Sequence, residues 1–131
     1  MSTTPRDFRT PVGRARGLGS AKSGTGHFWW QRVTAVFLAV LTPWIIGLLV
    51  ALVGADHAQV QSALGKPINA IALAMFAASL FWHAKLGLQV VIEDYIHHRP
   101  TEIALQLLVT FACAAGALAS LYAIGRIALL A

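Results

Sequence analysis

The sequence predicts an all-α membrane protein, in which three transmembrane helices form an up-down-up bundle behind a flexible, basic N-terminal tail. Of its 131 residues, 57% are hydrophobic and only 11% are charged, and the mean hydropathy is +0.68. A soluble domain of this size carries far more charge. The apolar residues also come in blocks too long for core helices, since about 20 helical residues span the roughly 30 Å of a bilayer core.

The basic residues are concentrated in the tail. We expect residues 1–26 to form this tail and residues 27–131 to form the transmembrane domain. Six of the ten Lys and Arg residues precede the first apolar block, against one acid, Asp7. Cationic segments stay in the cytoplasm, so we expect a bacterial inner-membrane protein with a cytoplasmic N-terminus and, after three crossings, a periplasmic C-terminus. Anionic lipid headgroups explain the net charge of +5 without nucleic-acid binding.

Three apolar blocks predict the spans, at about residues 33–54, 68–92 and 103–125. The aromatic residues 28–30 precede the first block and are typical of the headgroup level. Pro43 should kink the first helix or leave a carbonyl that needs another partner. Pro100 prevents simple continuation of the second helix into the third.

The third span is rich in small residues, which let helices approach each other closely. Such a surface suits packing against another subunit or packing within the chain's own bundle, and the two are not exclusive. The residues are Ala112, Ala114, Ala115, Gly116, Ala117, Ala119 and Ser120.

His83 lies deep in the second span and is the first candidate for function, because an ionisable group is costly in hydrocarbon. It stands about nine residues, or roughly 14 Å, from the end of its helix. A neutral imidazole there needs either a hydrogen-bond partner on a neighbouring helix or a metal. Ser79 and Gly87 flank it and leave room for a flat macrocycle. Haem iron accepts imidazole as an axial ligand, and the second ligand would come from another polypeptide.

Asp94 and Tyr95 follow on the same helix at the water boundary. Asp94 is eleven positions from His83 and returns to within about 20° of its direction. A phenol is protonated at neutral pH and can donate a hydrogen bond to a quinone carbonyl, while an adjacent carboxylate can orient it or relay protons. Quinones are lipid-soluble, so a head group can reach this level of the bilayer.

These residues carry a resemblance to a known family. The segment from His83 to Tyr95, HAKLGLQVVIEDY, resembles the H-x3-G-x6-D-Y signature of the small haem-binding membrane anchor subunit of succinate dehydrogenase. In that family the signature lies at the end of the second of three helices. Residues 24–32, GTGHFWWQR, are similar to the family's other recognisable segment. The resemblance covers the arrangement of spans along the whole chain, but it involves specific residues only in these two segments.

The resemblance implies a haem site shared with a partner. His83 would be an axial ligand of a b-type haem, and the other ligand would come from a companion anchor subunit of the cytochrome b556 type. Gly87 would give the haem clearance. Arg32 and His27 would meet the haem propionates, although their spacing differs by one residue from that in some relatives. Arg32 is alternatively a positive anchor at the bilayer boundary.

The resemblance also implies a quinone site and a larger enzyme. Tyr95 would hydrogen-bond the ubiquinone head group, with Asp94 beside it. The chain would dock a flavoprotein subunit and an iron–sulfur subunit at the membrane, forming a succinate:quinone oxidoreductase of the tricarboxylic acid cycle and aerobic electron transport. With no nucleotide fingerprint and no cysteine cluster, the chain is not expected to oxidise succinate alone.

Two other functions are compatible with the same residues. One is a haem-free quinone-oxidoreductase anchor in which His83 is hydrogen-bonded. The other is a small transporter with His83 and Lys85 lining a pathway, for which three short helices offer few polar positions. Lys85 is expected to extend toward the headgroups or to contact another subunit. His97 and His98 are expected to be solvated turn residues.

Overall fold

The computed structural model of the protein describes residues 10–12 and 25–130. Four helices make up most of the second stretch: α1 (Thr25–Ala51), α2 (His57–Gly65), α3 (Pro67–Tyr95) and α4 (Arg99–Leu130). α1, α3 and α4, with 27, 29 and 32 residues, are long and apolar enough to cross a membrane. The predicted all-α membrane fold with three spans is therefore confirmed. Most of the predicted tail, residues 1–9 and 13–24, lies outside the described residues.

α1 begins about eight residues before the first expected span, at Thr25. The added segment is polar and aromatic, so it falls outside an apolar block, but no residue in it interrupts a helix. His27 and Arg32 are consequently helical residues. The helix also continues through Pro43.

A short helix, α2, occupies the connection between α1 and α3, which the sequence analysis did not predict. Gly54, with φ of 82°, turns the chain after α1 in the left-handed region that favours glycine. α2 then begins with a capping box. The backbone N–H of Gln59 donates to Asp56 Oδ1 over 2.8 Å, and the N–H of Asp56 donates to Gln59 Oε1 over 3.0 Å. Pro67 opens α3, at a position where its missing N–H is not needed.

Residues 96–98 connect α3 to α4. Pro100 is the second residue of α4, where its fixed φ suits the first turn of a helix. His97 and His98 are exposed, as expected of turn residues. The Nδ1 atom of His98 lies 2.9 Å from Oγ1 of Thr101 and so ties the turn to the start of α4.

α3 is the central helix of the bundle. In the described part of the chain, α1 and α4 each pack along α3 and do not approach one another, and α2 lies against α3 and α4. Few side chains are enclosed by this arrangement. The buried apolar residues are Ile45, Ala70, Ala77, Leu86 and Ile92. Most other large apolar side chains face outward, where lipid or another subunit covers them in a membrane.

Candidate functional site

His83 faces α1 and is hydrogen-bonded to it. Its Nδ1 lies 3.0 Å from Oγ1 of Thr34, a buried residue with 6% of its surface exposed. The same hydroxyl lies 2.8 Å from the carbonyl oxygen of Trp30 and 3.1 Å from that of Gln31. The preceding turn of α1 therefore offers acceptors for the single hydroxyl proton. Thr34 was not among the candidate residues predicted from the sequence.

The hydrogen bond occupies one of the two ring nitrogens of His83. When the Thr34 proton goes to a carbonyl of its own helix, Oγ1 accepts the Nδ1 proton, and Nε2 carries the ring's lone pair. Nε2 has no hydrogen-bond partner among the described residues, and it is not one of their enclosed unpaired atoms. The interpretation of His83 as a histidine bonded to a neighbouring hydroxyl thus applies to Nδ1 and leaves Nε2 available to a ligand.

Three polar residues of α1 lie on one face, because they are spaced four and three residues apart: His27, Gln31 and Thr34. We call these three residues and His83 the polar seam. Within the described chain, His27 Nε2 and Gln31 Oε1 are enclosed without a hydrogen-bond partner. An unpaired enclosed polar atom costs about 1–3 kcal/mol, so a hydrogen-bond partner at either atom would be stabilising. The spacing was visible in the sequence, but it was not used there, and His27 alone was named, through the family resemblance.

The two small residues that flank His83 have different surroundings. A Cβ placed on Gly87 would lie 3.8 Å from Nε2 of Gln31, so a side chain of α1 already lies beside Gly87. On the other flank, Ser79 lines an open groove of about 210 Å³ between α1 and α3, next to Thr34 and Trp82. The groove on the Ser79 side is lined by Thr34, the residue that contacts His83.

Arg32 lies on another face of α1. At 100° per residue it is about 160° around the helix from Thr34. Its guanidinium carbon lies 4.8 Å from the centroid of the Phe28 ring, a cation–π contact, and its side chain is exposed. The structure does not bring Arg32 together with the polar seam, and no described carboxylate forms an ion pair with it.

Asp94 and Tyr95 are the last two residues of α3. Both are exposed, Tyr95 with 76% of its surface, and neither side chain has a hydrogen-bond partner among the described residues. Twelve residues separate Tyr95 from His83, about 18 Å along the helix. The pair is accessible at the helix end and forms a location separate from the polar seam.

A second series of polar side chains lies on the side of α3 that faces α4. Lys85 Nζ donates to Gln89 Oε1 over 3.1 Å, and Gln89 Nε2 donates to Glu93 Oε1 over 2.9 Å. From α4, Gln106 Nε2 lies 3.4 Å from carboxylate oxygens of both Glu93 and Glu102. The Lys85 side chain thus extends toward the end of α3, and its ammonium binds Gln89. This is the direction expected of a lysine whose ammonium lies near the headgroups.

The fold and this site together define a class of protein, namely a three-span membrane protein with a histidine inside the second span that the first span contacts at one ring nitrogen. Comparison with known proteins identifies the family. Residues 6–119 match the model of the succinate dehydrogenase/fumarate reductase transmembrane subunit family. The chain belongs to this family.

Individual relatives agree with the family. The succinate dehydrogenase hydrophobic membrane anchor subunit of Rickettsia bellii is 41% identical over 90 residues, which are 69% of this chain and 72% of the relative. The subunit of the same name from Paracoccus denitrificans is 35% identical over 122 residues, 93% of this chain and 94% of the relative. No solved structure matches the chain. The resemblance inferred from the sequence is therefore confirmed at the level of the family.

Proposed function

We propose that this chain, as a membrane anchor subunit of succinate dehydrogenase, supplies His83 as one axial ligand of a b-type haem, and Tyr95 with Asp94 as part of a ubiquinone-reduction site. The other axial ligand would come from a second anchor subunit. One observation carries the haem proposal: Thr34 engages Nδ1 of His83, so that Nε2 can keep its lone pair and has no partner among the described residues.

The residues around His83 suit such a ligand. Imidazole nitrogen is a natural axial ligand of haem iron, and a haem when bound supplies one-electron transfer. The groove beside Ser79 gives room on one flank of His83. On the other flank, Gly87 has no side chain, and the amide of Gln31 lies beside it. We propose that Gly87 gives the haem clearance on this flank once the flexible Gln31 side chain moves aside.

Two residues of α1 would hold the propionates. His27 Nε2 is enclosed and unpaired among the described residues, and once a small rotation of the side chain exposes it, an N–H there would be satisfied by a carboxylate. Arg32 projects from a different side of α1, where its guanidinium would form a charge-assisted pair with a carboxylate from outside the chain. The two residues would therefore act from different faces of the helix.

At the end of α3, Tyr95 and Asp94 would bind the quinone head group. The phenol of Tyr95 donates a hydrogen bond to a quinone carbonyl and so favours the charge that develops on that oxygen. Reduction of ubiquinone to ubiquinol takes up two electrons and two protons. The exposed carboxylate of Asp94 would pass protons from water, while the electrons would derive from succinate oxidised in the soluble subunits.

The assembly that we propose contains a flavoprotein subunit, an iron–sulfur subunit and a second anchor subunit in a bacterial inner membrane. Because α1 and α3 run in opposite directions, the start of α1 and the end of α3 lie on the same side of the bundle. We propose that the basic N-terminal segment keeps that side in the cytoplasm. The soluble subunits would dock there, close to Tyr95.

A haem-free anchor is the second candidate function, and the same hydrogen bond suits it. If the Thr34 hydroxyl donates its proton to Nδ1, then Nε2 carries a hydrogen and cannot bind iron. His83 would in that case only join α3 to α1.

The haem proposal is tested by a reduced-minus-oxidised optical spectrum of the purified complex that contains His83→Gly. We expect the b-type band to be lost and to be restored by added imidazole, which replaces the missing ligand. His57→Ala, in the exposed first turn of α2, should keep the band. A normal band in His83→Gly without imidazole would contradict the proposal and favour the haem-free anchor.

A further inference from the structure

We infer that Thr34 is a positioning residue for the haem ligand: its hydroxyl accepts the Nδ1 proton of His83 and so fixes the ring tautomer and orientation that present Nε2 to iron. This inference rests on the proposed function. If no haem binds His83, Thr34 only stabilises the contact between α1 and α3.

The direction of the hydrogen bond follows from the surroundings of the hydroxyl. Oγ1 lies 2.8 Å from the Trp30 carbonyl, the acceptor that a threonine inside a helix commonly uses, and 3.0 Å from His83 Nδ1. With the hydroxyl proton on that carbonyl, only lone pairs of Oγ1 face the ring. In the reverse arrangement an N–H at Nε2 would have no acceptor among the described residues, which is costly at this depth of a bilayer.

The surroundings also hold the two residues in place. Thr34 is β-branched and buried, so few side-chain conformers are open to it. The rings of Trp30 and Trp82 pack against each other with centroids 6.1 Å apart. Trp30 is one turn before Thr34, and Trp82 is the neighbour of His83 in sequence. The aromatic pair therefore holds α1 against α3 beside the hydrogen bond.

The hydrogen bond has a chemical consequence for a metal bound at Nε2. A ring whose Nδ1 proton is accepted by another group is a more basic ligand, and loss of such a partner typically costs about 10- to 100-fold in metal affinity. A more basic ligand favours ferric over ferrous iron. Loss of the Thr34 hydroxyl should therefore weaken haem retention and raise the haem midpoint potential.

The test compares three variants in the purified complex. Thr34→Val keeps the shape of the side chain and removes the hydroxyl, Thr34→Ser keeps the hydroxyl, and Thr42→Val removes an exposed hydroxyl from the same helix. The measurements are the haem midpoint potential and the electron paramagnetic resonance spectrum of the ferric haem. We expect Thr34→Val to shift both, with the potential moving upward, and Thr34→Ser and Thr42→Val to resemble the wild type.

The outcomes separate the two proposals. If Thr34→Val has the wild-type potential and spectrum while His83→Gly loses the b-type band, the role of Thr34 is wrong and the haem ligand stands. If Thr34→Ser shifts as much as Thr34→Val, packing rather than the hydroxyl matters, which also overturns the inference. A normal band in His83→Gly contradicts both proposals. If the complex with Thr34→Val does not assemble, Thr34→Ala replaces it in the same measurements. It also lacks the hydroxyl, and it only removes atoms from the side chain.

Discussion

The ring of Phe81 on α3 lies against the backbone of Gly116 on α4 and fills the space that a Cβ on Gly116 would need. α3 and α4 can approach this closely only because residue 116 has no side chain. The small-residue surface of α4 is thus used in part within the chain. Several of its alanines remain exposed to lipid or another subunit: Ala112, Ala114, Ala115 and Ala119.

Gly116→Ala should destabilise the helix bundle. The added methyl group would overlap the Phe81 ring, which must tilt or push α4 away, and overpacking of this kind typically costs about 1–3 kcal/mol. The thermal unfolding midpoint of the purified complex in detergent should fall.

Gly125→Ala is the matched control, since a Cβ at that position meets nothing within 4 Å in the described chain. Alanine is a better helix former than glycine, so this variant should unfold at the same temperature or slightly higher. Because both variants share the gain in helix propensity, equal unfolding midpoints for Gly116→Ala and Gly125→Ala would show that the methyl group at residue 116 is accommodated at no cost.

Apolar blocks in the sequence predicted the number and order of the spans but not their ends. Such blocks mark the hydrocarbon-facing part of a helix, whereas the helix itself continues through polar and aromatic residues into the interface. α1 accordingly begins at Thr25 instead of near residue 33, and α4 covers Arg99–Leu130 instead of about 103–125. The short α2 was missed because nine residues of mixed polarity form no block. Its local signal was Asp56 followed three residues later by Gln59.

Asp56→Ala should loosen α2 without unfolding the spans. The substitution removes the acceptor of the Gln59 N–H and costs about 0.5–2 kcal/mol, confined to this helix. Hydrogen exchange of the amides of residues 57–65 should become faster, while amides in α3 exchange as before. Ser62→Ala, an exposed change in the same helix, is the control. Unchanged exchange in Asp56→Ala would mean that packing alone holds α2.

The site was only partly predictable. His83 stood out because an imidazole is costly at mid-membrane depth, and Asp94 with Tyr95 because of their place at the helix end. Thr34 did not stand out, since a threonine is unexceptional in an apolar span, and its role depends on which turn of α1 lies against α3. Which turn of α1 contacts α3 is decided by tertiary packing, which the sequence pattern does not show. The same holds for Arg32, whose exposed face became clear only once α1 was seen to include it.

Arg32→Gln should lower the haem midpoint potential if the guanidinium pairs with a propionate. A cation near the iron favours the reduced form, so its removal favours the oxidised form. Arg32→Lys keeps the charge and should retain most of the effect. Arg126→Gln is the control, because this arginine lies near the opposite end of the bundle beside Tyr122. An unchanged potential in Arg32→Gln would leave Arg32 as an anchor at the bilayer boundary.

Tyr95→Phe should impair ubiquinone reduction while leaving the haem spectrum intact. The substitution removes only the phenolic hydroxyl of an exposed residue about 18 Å along α3 from His83. Loss of a single hydrogen bond to the reacting head group corresponds to about a tenfold fall in kcat/KM for ubiquinone. Tyr122→Phe, at a similarly exposed tyrosine of α4, should have no effect on either property. If Tyr95→Phe loses both quinone reduction and the haem band, Tyr95 has a structural role instead. A residue that acts only in the quinone site would leave the distant haem ligand His83 unchanged.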